Sequence, residues 1–502
     1  RAHYTTRIRC GGNIRLSFGS VSFRARVLLD GNEIARHYGA FTAFETVVRR
    51  LPEGEHALTV EVDNRFGEDS ALHVPNDYYS YGGITRPVVI EQLPDVFVER
   101  VGITTKRTAD GWTADISANI RNLADEGASA DVTLTLAGQT FTQTAHIPAD
   151  STAIIRIPDA HYADVTAWTP DTPALYALRA EIREGNQVLD DLIDRVGFRE
   201  ISISGMDLLL NGEKLRLMGF NRHEEYGAFG CAVPLQAMAQ DILMMKDMGC
   251  NCVRTSHYPN DPRFLDLCDE MGLLVWEEAH ARGLQEEQMR NPNFMPQTRQ
   301  CVREMVAQHR NHPSIFIWGC LNECADNCDY GADCYREVYA LLHDLDASRP
   351  MTAALLERPG SRVYGDSDVV SVNIYPQWYH NTTVAESLAQ KLKEIREHGG
   401  AGKPVIISEI GAGGIYGYHD PLGESKWSEE RQCTILRDQV EAVLANPACS
   451  GVFLWQFADC RVTEEWAMHR PKTHNNKGVV DEYRRPKMSY AVVKELFQKQ
   501  KG

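Results

Sequence analysis

Leu215-Arg216-Leu217-Met218-Gly219-Phe220-Asn221, then LQAMAQDILMMKDM over residues 235–248, then Cys252-Val253-Arg254-Thr255-Ser256, is the stretch on which the fold turns. Two short apolar runs flank a segment whose apolar positions 235, 238, 239, 242, 245 and 248 recur at helical spacing, which reads as strand, amphipathic helix, strand. The unit repeats downstream. Strands are expected at 215–221, 252–256, 273–277, 315–321, 351–355, 369–374, 405–409 and 452–457, with helices at 235–248, 297–309, 335–345, 384–398 and 429–444. Eight strands alternating with helices over roughly 300 residues suit a parallel (β/α)8 barrel. An open doubly wound sheet shares the alternation, but no G-x-G-x-x-G or G-x-x-x-x-G-K-[ST] follows any strand, which favours the barrel.

Upstream the period changes. Runs such as Val21–Leu29, His56–Val62, Val132–Leu136 and Ala153–Ile157 alternate between turn clusters at Asp30-Gly31-Asn32, Pro52-Glu53-Gly54 and Asp110-Gly111. This is all-β sequence, divided near Gln92–Asp95 into two sandwiches. The predicted organisation is a β-sandwich over 1–94, an immunoglobulin-like sandwich over 95–202, and the barrel over 203–502. Strand-like pattern begins at Arg1 without Met, so the first sandwich is expected to be N-terminally incomplete.

The 502 residues are 43% hydrophobic and 24% charged, enough for large cores in two to four domains. With 52 Lys+Arg against 69 Asp+Glu the net charge is -17, which disfavours nucleic acid and anionic lipid surfaces as partners. No apolar run approaches the roughly 18 residues of a membrane span. Thirteen scattered cysteines suit reduced thiols and a cytoplasmic setting. The group Cys320, Cys324, Cys328 and Cys334 lacks the paired knuckles of structural zinc, so no metal or cofactor is expected.

In a barrel the chemistry sits at the C-terminal ends of the strands. Here those ends read Asn221-Arg222-His223-Glu224, Thr255-Ser256-His257-Tyr258, Glu277-Glu278-Ala279-His280, Asn322-Glu323, Asn373-Ile374-Tyr375, Ser408-Glu409 and Trp455-Gln456-Phe457-Ala458-Asp459. Any one of these polar residues alone could be structural; their convergence on one rim is harder to explain that way. Glu323 and Glu409 emerge from strands four and seven, the pair of carboxylates that glycosidic cleavage needs: one neutral acid, one anion. Burial and the charge of Glu409 are expected to keep Glu323 neutral, with Glu409 ionised among donors that include Tyr375. Tyr375, Trp378, Tyr379 and Trp455 could wall a sugar ring or belong to the core. Metal-dependent hydrolysis lacks an H-E-x-x-H and serine chemistry lacks a G-x-S-x-G. A carbohydrate-binding protein without turnover accounts for the sandwiches but not for the polar rim.

Three segments in order, Gly219-Phe220-Asn221-Arg222-His223-Glu224, Arg254-Thr255-Ser256-His257-Tyr258-Pro259 and Arg310-Asn311-His312-Pro313-Ser314 through Trp318 to Asn322-Glu323, resemble the barrel motifs of glycoside hydrolase family 2. The resemblance covers essentially the whole chain. It implies a jelly-roll-like domain, an immunoglobulin-like domain and a catalytic barrel, with Glu323 as acid/base, Glu409 as nucleophile and Asn322 beside the sugar 2-hydroxyl. Asn373–Tyr379 (N-I-Y-P-Q-W-Y), Trp455–Asp459 and Asn475-Asn476-Lys477-Gly478 are similar to segments of the family's β-glucuronidases. That similarity implies substrate contacts from His223, Asn373, Tyr375, Tyr379 and Trp455, a carboxylate clamp from Asn475 and Lys477, and Asp77 on sugar hydroxyls. It also implies a retaining exo-β-glucuronidase acting on a small-molecule β-glucuronide, and a homo-oligomer, a tetramer foremost. Glu225-Tyr226-Gly227, Ile410 and Pro471 depart from the glucuronidase pattern, which leaves β-galacturonidase, dual hexuronidase and β-galactosidase activity as alternatives.

Overall fold

The computed structural model describes residues 1–185 and 187–500. By backbone proximity these form two compact units, Arg1–Asp63 with Gly83–Glu200 and Gln308–Pro313, and Asn64–Gly82 with Ile201–Ala307 and Ser314–Gly502.

The strands of the first unit pair antiparallel. Its N-terminal part is a five-stranded sheet in the spatial order 32–38, 24–29, 44–63, 2–18, 88–93, whose inward residues, among them Ile14, Leu16, Phe18, Val27 and Val60, alternate with outward ones. The turn expected at Pro52-Glu53-Gly54 lies instead within the long strand 44–63. Cys10 pairs with Gly54, Gly12 with Leu51 and Ile14 with Val48, so each step carries one extra residue, absorbed as a bulge rather than a reversal. Arg50 takes a left-handed φ of 52° there, and its N–H donates to Asn13 Oδ1 at 3.0 Å. The second part is a sandwich of a four-stranded sheet (139–147, 128–136, 176–184, 187–196) and a three-stranded one (151–162, 111–122, 96–108), as an immunoglobulin-like domain requires. Gln308–Pro313 belongs to this unit through Gln308 on the main chain of Ala43 and Asn311 on Val101, Ile103 and Asp194.

The second unit is the barrel. Strands β1 (Leu217–Arg222), β2 (Cys252–Thr255), β3 (Leu274–Glu278), β4 (Ile315–Gly319), β5 (Met351–Leu355), β6 (Val370–Asn373), β7 (Val405–Ile410) and β8 (Cys449–Leu454) pair in parallel, and β8 returns to β1. β5 is interrupted at Ala353; its first half bonds to β4 and its second to β6, which closes the ring. Every residue of these strands is buried, the mark of a sheet covered on both faces. The covering helices are α1 (Leu235–Asp247), α2 (Pro262–Met271), α3 (Phe294–His309), α4 (Asp329–Leu345), α5 (Val384–Ile395), α6 (Glu429–Ala445) and α7 (Met488–Gln498). Local signals set their ends: Asp261 caps α2 ahead of Pro262, Gly272 ends it at φ 70°, and Thr383 with Glu386 forms a capping box on α5. β8 ends three residues earlier than its apolar run suggests, so Trp455 begins the loop rather than continuing the strand.

Asp241 on α1 holds the barrel's first and last segments together. Fully buried, it accepts from Arg222 Nε at 2.9 Å and from Arg484 Nε at 2.8 Å. Asp241→Ala leaves two buried guanidinium groups without their anion and should cost on the order of 3–5 kcal/mol of stability, read as a lower urea midpoint.

Candidate active site

The site is built around Arg254, a charged residue inside β2 with no solvent exposure. Its register partners are Asn221 on β1 and Trp276 on β3, and its guanidinium lies 4.9 Å from the Trp276 ring. Nε and Nη2 donate to the Glu278 carboxylate at 2.8 Å each, Nη1 to Asn221 Oδ1 at 2.7 Å and Glu409 Oε1 at 3.0 Å, and Nη2 to Asn322 Oδ1 at 2.8 Å. One planar fork thus fixes Glu409 and Asn322 together.

Glu409 lies in β7 opposite Asn373 of β6, and its other oxygen accepts from the Tyr375 hydroxyl at 2.7 Å. Gly411 follows because the Trp455 carbonyl backs onto it, only 2.2 Å from where a Cβ would stand. Glu323 stands four residues beyond the end of β4 and is not held by strand geometry as the sequence suggests. Its backbone has a left-handed φ of 52°, a strained conformation held by Glu323 N–H to the Ala354 carbonyl at 2.8 Å and Arg358 Nη2 to the Glu323 carbonyl at 2.8 Å. Asn373 Nδ2 donates to Glu323 Oε1 at 2.9 Å, and Ser408 holds the Asn373 oxygen at 2.7 Å.

A second cluster surrounds Asp77, carried by the 64–82 segment. Arg282 lies 3.2 Å from Oδ1 and also 3.5 Å from Glu323; Arg470 and Asn475 each donate to Oδ2 at 3.1 Å. Burial alone would raise Asp77, but Arg282, Arg470 and Lys477 hold its carboxyl well below the usual range. Lys477 donates to the Tyr379 hydroxyl at 2.8 Å, and Arg470 reaches the same oxygen at 3.3 Å. Despite the burial of its hydroxyl, these two cations draw the Tyr379 phenol below its ordinary value.

These groups enclose a cavity of about 370 Å³ lined by Asp77, Glu323, Asn373, Tyr375, Tyr379, Glu409, Trp455 and Lys477 from the sequence reading, joined by Arg282, Leu356, Glu357, His380, Trp466 and Arg470. His223, Asn322 and Asn475 stand behind this wall. His223 meets Trp455 edge-on at 5.4 Å and Tyr258 by hydrogen bond at 3.1 Å, and burial, helped by Arg282, Arg254 and Arg222, pushes it down to about 3, so it is neutral. The Asn475 amide is committed to Asp77. Trp378 packs into a core cluster with Trp427, Ile435 and Ala412. Arg282 and Arg254 are the functional groups that sequence reasoning left out. The signal for Arg254 was present, a charge within an apolar strand; Arg282 lies in a loop and had none.

A barrel whose strand ends deliver two carboxylates, an aromatic wall and cationic groups to one cavity defines a glycosidase. The chain belongs to glycoside hydrolase family 2: residues 201–501 match the family's TIM barrel domain, and residues 96–199 match a further domain of glycosyl hydrolases family 2. It is 47% identical to a GH2 β-galacturonidase from Eisenbergiella tayi solved with bound galacturonate, with a TM-score of 0.97 over 99% of this chain and 89% of that one. It is 29% identical over 526 residues to a β-glucuronidase of Streptococcus agalactiae, covering 96% of this chain and 84% of the relative. A Formosa agariphila relative is 28% identical over 540 residues; this chain spans 97% of itself in that match and 62% of the relative's length.

Burial, then the charge of Glu323, pushes the Glu409 carboxyl up to about 7, against the pull of Arg254 and Tyr375. Glu409 is therefore only partly ionised near neutral pH, where the sequence reading expects a full anion. The sign for stability follows. With the folded value above the ordinary 4.5, the contribution is present below 4.5 and lost as pH rises through about 7. Glu409→Gln fixes the neutral form, so its unfolding free energy should exceed that of the natural protein by about 3 kcal/mol at pH 8 and by nothing at pH 4, measured by denaturant titration at both.

Proposed function

We propose that the protein is a retaining exo-β-D-hexuronidase that removes a terminal β-linked hexuronic acid, with β-galacturonides preferred over β-glucuronides. The observation that carries this reading is the pairing of Glu323 and Glu409 in one cavity with Arg282, Arg470 and Lys477. Two carboxylates suffice for any β-glycoside; a cluster of cations in a chain of net charge -17 is what an anionic sugar adds. The C4 preference rests on the 47% identity to the β-galacturonidase. A glucuronide reading is supported by the motif similarities and by the Streptococcus agalactiae relative.

In this mechanism the leaving oxygen takes the proton from Glu323 as its bond to C1 breaks, and Glu409 attacks C1 from the opposite side to form a glycosyl ester. Arg254 and Tyr375 favour the anion on Glu409, the nucleophile of this reading, and Glu323 takes the acid role on the other side of the bond. Glu323, now a carboxylate, takes a proton from water; the water oxygen attacks C1 and displaces Glu409, giving the uronic acid with its configuration retained. In this reading Lys477 with Arg470 takes the C6 carboxylate, and Asn322 is held by Arg254 behind the cavity wall.

Side-by-side assays on 4-nitrophenyl β-galacturonide, β-glucuronide and β-galactoside should give turnover in that order; galactoside as the best substrate would refute the hexuronidase reading. Lys477→Ala removes a charge-assisted hydrogen bond, so uronide kcat/KM should fall about 10–100-fold while residual galactoside turnover stays level. Glu323→Gln should slow alkyl uronides by about 10²–10⁴-fold and activated aryl uronides far less, since a good leaving group needs little protonation.

A further inference from the structure

A second hollow, of about 290 Å³, adjoins the catalytic cavity and shares Glu357 and His380 with it. It exists because no helix follows β5: residues 356–369 run as loop, and the hollow lies between that loop and the start of α5. Its wall is bonded to the backbone that presents the proton donor, since Arg358 donates to the main-chain oxygens of Glu323 at 2.8 Å and Cys324 at 3.0 Å. The atom that receives a proton from Glu323 is the leaving oxygen, so whatever is attached to that oxygen departs on the Glu323 side, toward this hollow.

Its chemistry is specific. Lys391 is buried and paired with Glu394 at 2.7 Å, Arg358 lies 3.3 Å from Asp326, and the Glu357 carboxylate, which accepts from the Tyr375 N–H at 3.2 Å, stands 3.8 Å from His380, so each cation of the lining is matched by a carboxylate. Beside these charges the lining offers the Thr382 and Ser387 hydroxyls, which bond to each other at 2.9 Å, and the Gln390 amide, groups that both donate and accept. The lining contains no phenyl, phenol or indole ring. A surface of this kind suits a neutral polyol: an aryl or alkyl group would cover polar atoms without replacing their hydrogen bonds to water, and a second uronate would meet no uncompensated cation.

We infer that this groove is the leaving-group subsite and that it takes a neutral glycosyl unit, so that the natural substrate is a glycan whose terminal hexuronic acid is β-linked to a neutral sugar. The inference rests on the hexuronidase reading. The test compares kcat/KM for a hexuronosyl-β-hexose disaccharide with that for the 4-nitrophenyl uronide, in the natural protein and in Thr382→Trp, which fills the groove from an exposed position, and Gln390→Leu, which removes the amide. The disaccharide-to-aryl ratio should fall at least about tenfold in either variant, with retained aryl turnover reporting the fold. In the natural protein the disaccharide should also exceed the methyl uronide by about tenfold, a comparison that needs no variant. A ratio that moves less than about twofold, with disaccharide and methyl uronide cleaved equally, overturns the subsite while leaving the hexuronidase reading intact. Absence of turnover on every uronide overturns both.

Discussion

A guanidinium buried without water must be surrounded by acceptors, and the requirement of Arg254 organises the barrel mouth. Its donors reach Glu278 on β3, Asn221 on β1, Glu409 on β7 and Asn322 past β4. Those contacts reach four of the eight strands, so the geometry of the Glu409 carboxylate is set by a group buried behind the cavity wall. A lysine in that place could offer a charge but not a planar fork able to hold four residues in fixed directions. The same fork bears on the charge of the buried Glu409: burial and Glu323 oppose its ionisation, and Arg254 with Tyr375 favours it.

Much of this was legible in the sequence because barrel strands repeat one pattern and their C-terminal ends carry polar residues. The alternation located all eight strands, and eight of the eleven candidate site residues line the cavity. What escaped was whatever depends on contacts between distant positions. Arg282 has no local signature; its meaning comes from Asp77 and Asn76, far earlier in the chain. Asn475 reads as a ligand of substrate, yet its amide faces Asp77, a partner no spacing announces. Pro52-Glu53-Gly54 has turn composition, and only its pairing with the strand 2–18 makes it a bulge. Glu323 looked like a strand-end residue, although its position is kept by its own N–H on the Ala354 carbonyl of β5 and by the Arg358 guanidinium on its carbonyl.

The acidity of the chain and the cations of the site are two scales of one electrostatic problem. A net charge of -17 repels an anion at a distance, but a field of that range is screened over about 8 Å at physiological salt. Inside the cavity the relevant charges are those in contact, and Asp77 holds two of the cations in place rather than contributing free negative charge. The charge met inside the cavity is thereby separated from the sign of the surface.

The two compact units are not consecutive lengths of chain. Asn64–Gly82 leaves the sandwich sequence to join the barrel, and Gln308–Pro313 leaves the barrel sequence to join the sandwiches. A polypeptide emerging from the ribosome has passed its last sandwich strand by residue 200, yet it still awaits the Asn311 that bonds Val101, Ile103 and Asp194. The barrel, in turn, takes its Asp77 from a segment synthesised before any of its strands. The order of synthesis and the order of assembly are therefore interlocked: neither unit can be completed, excised or exchanged between proteins as a single uninterrupted piece of gene.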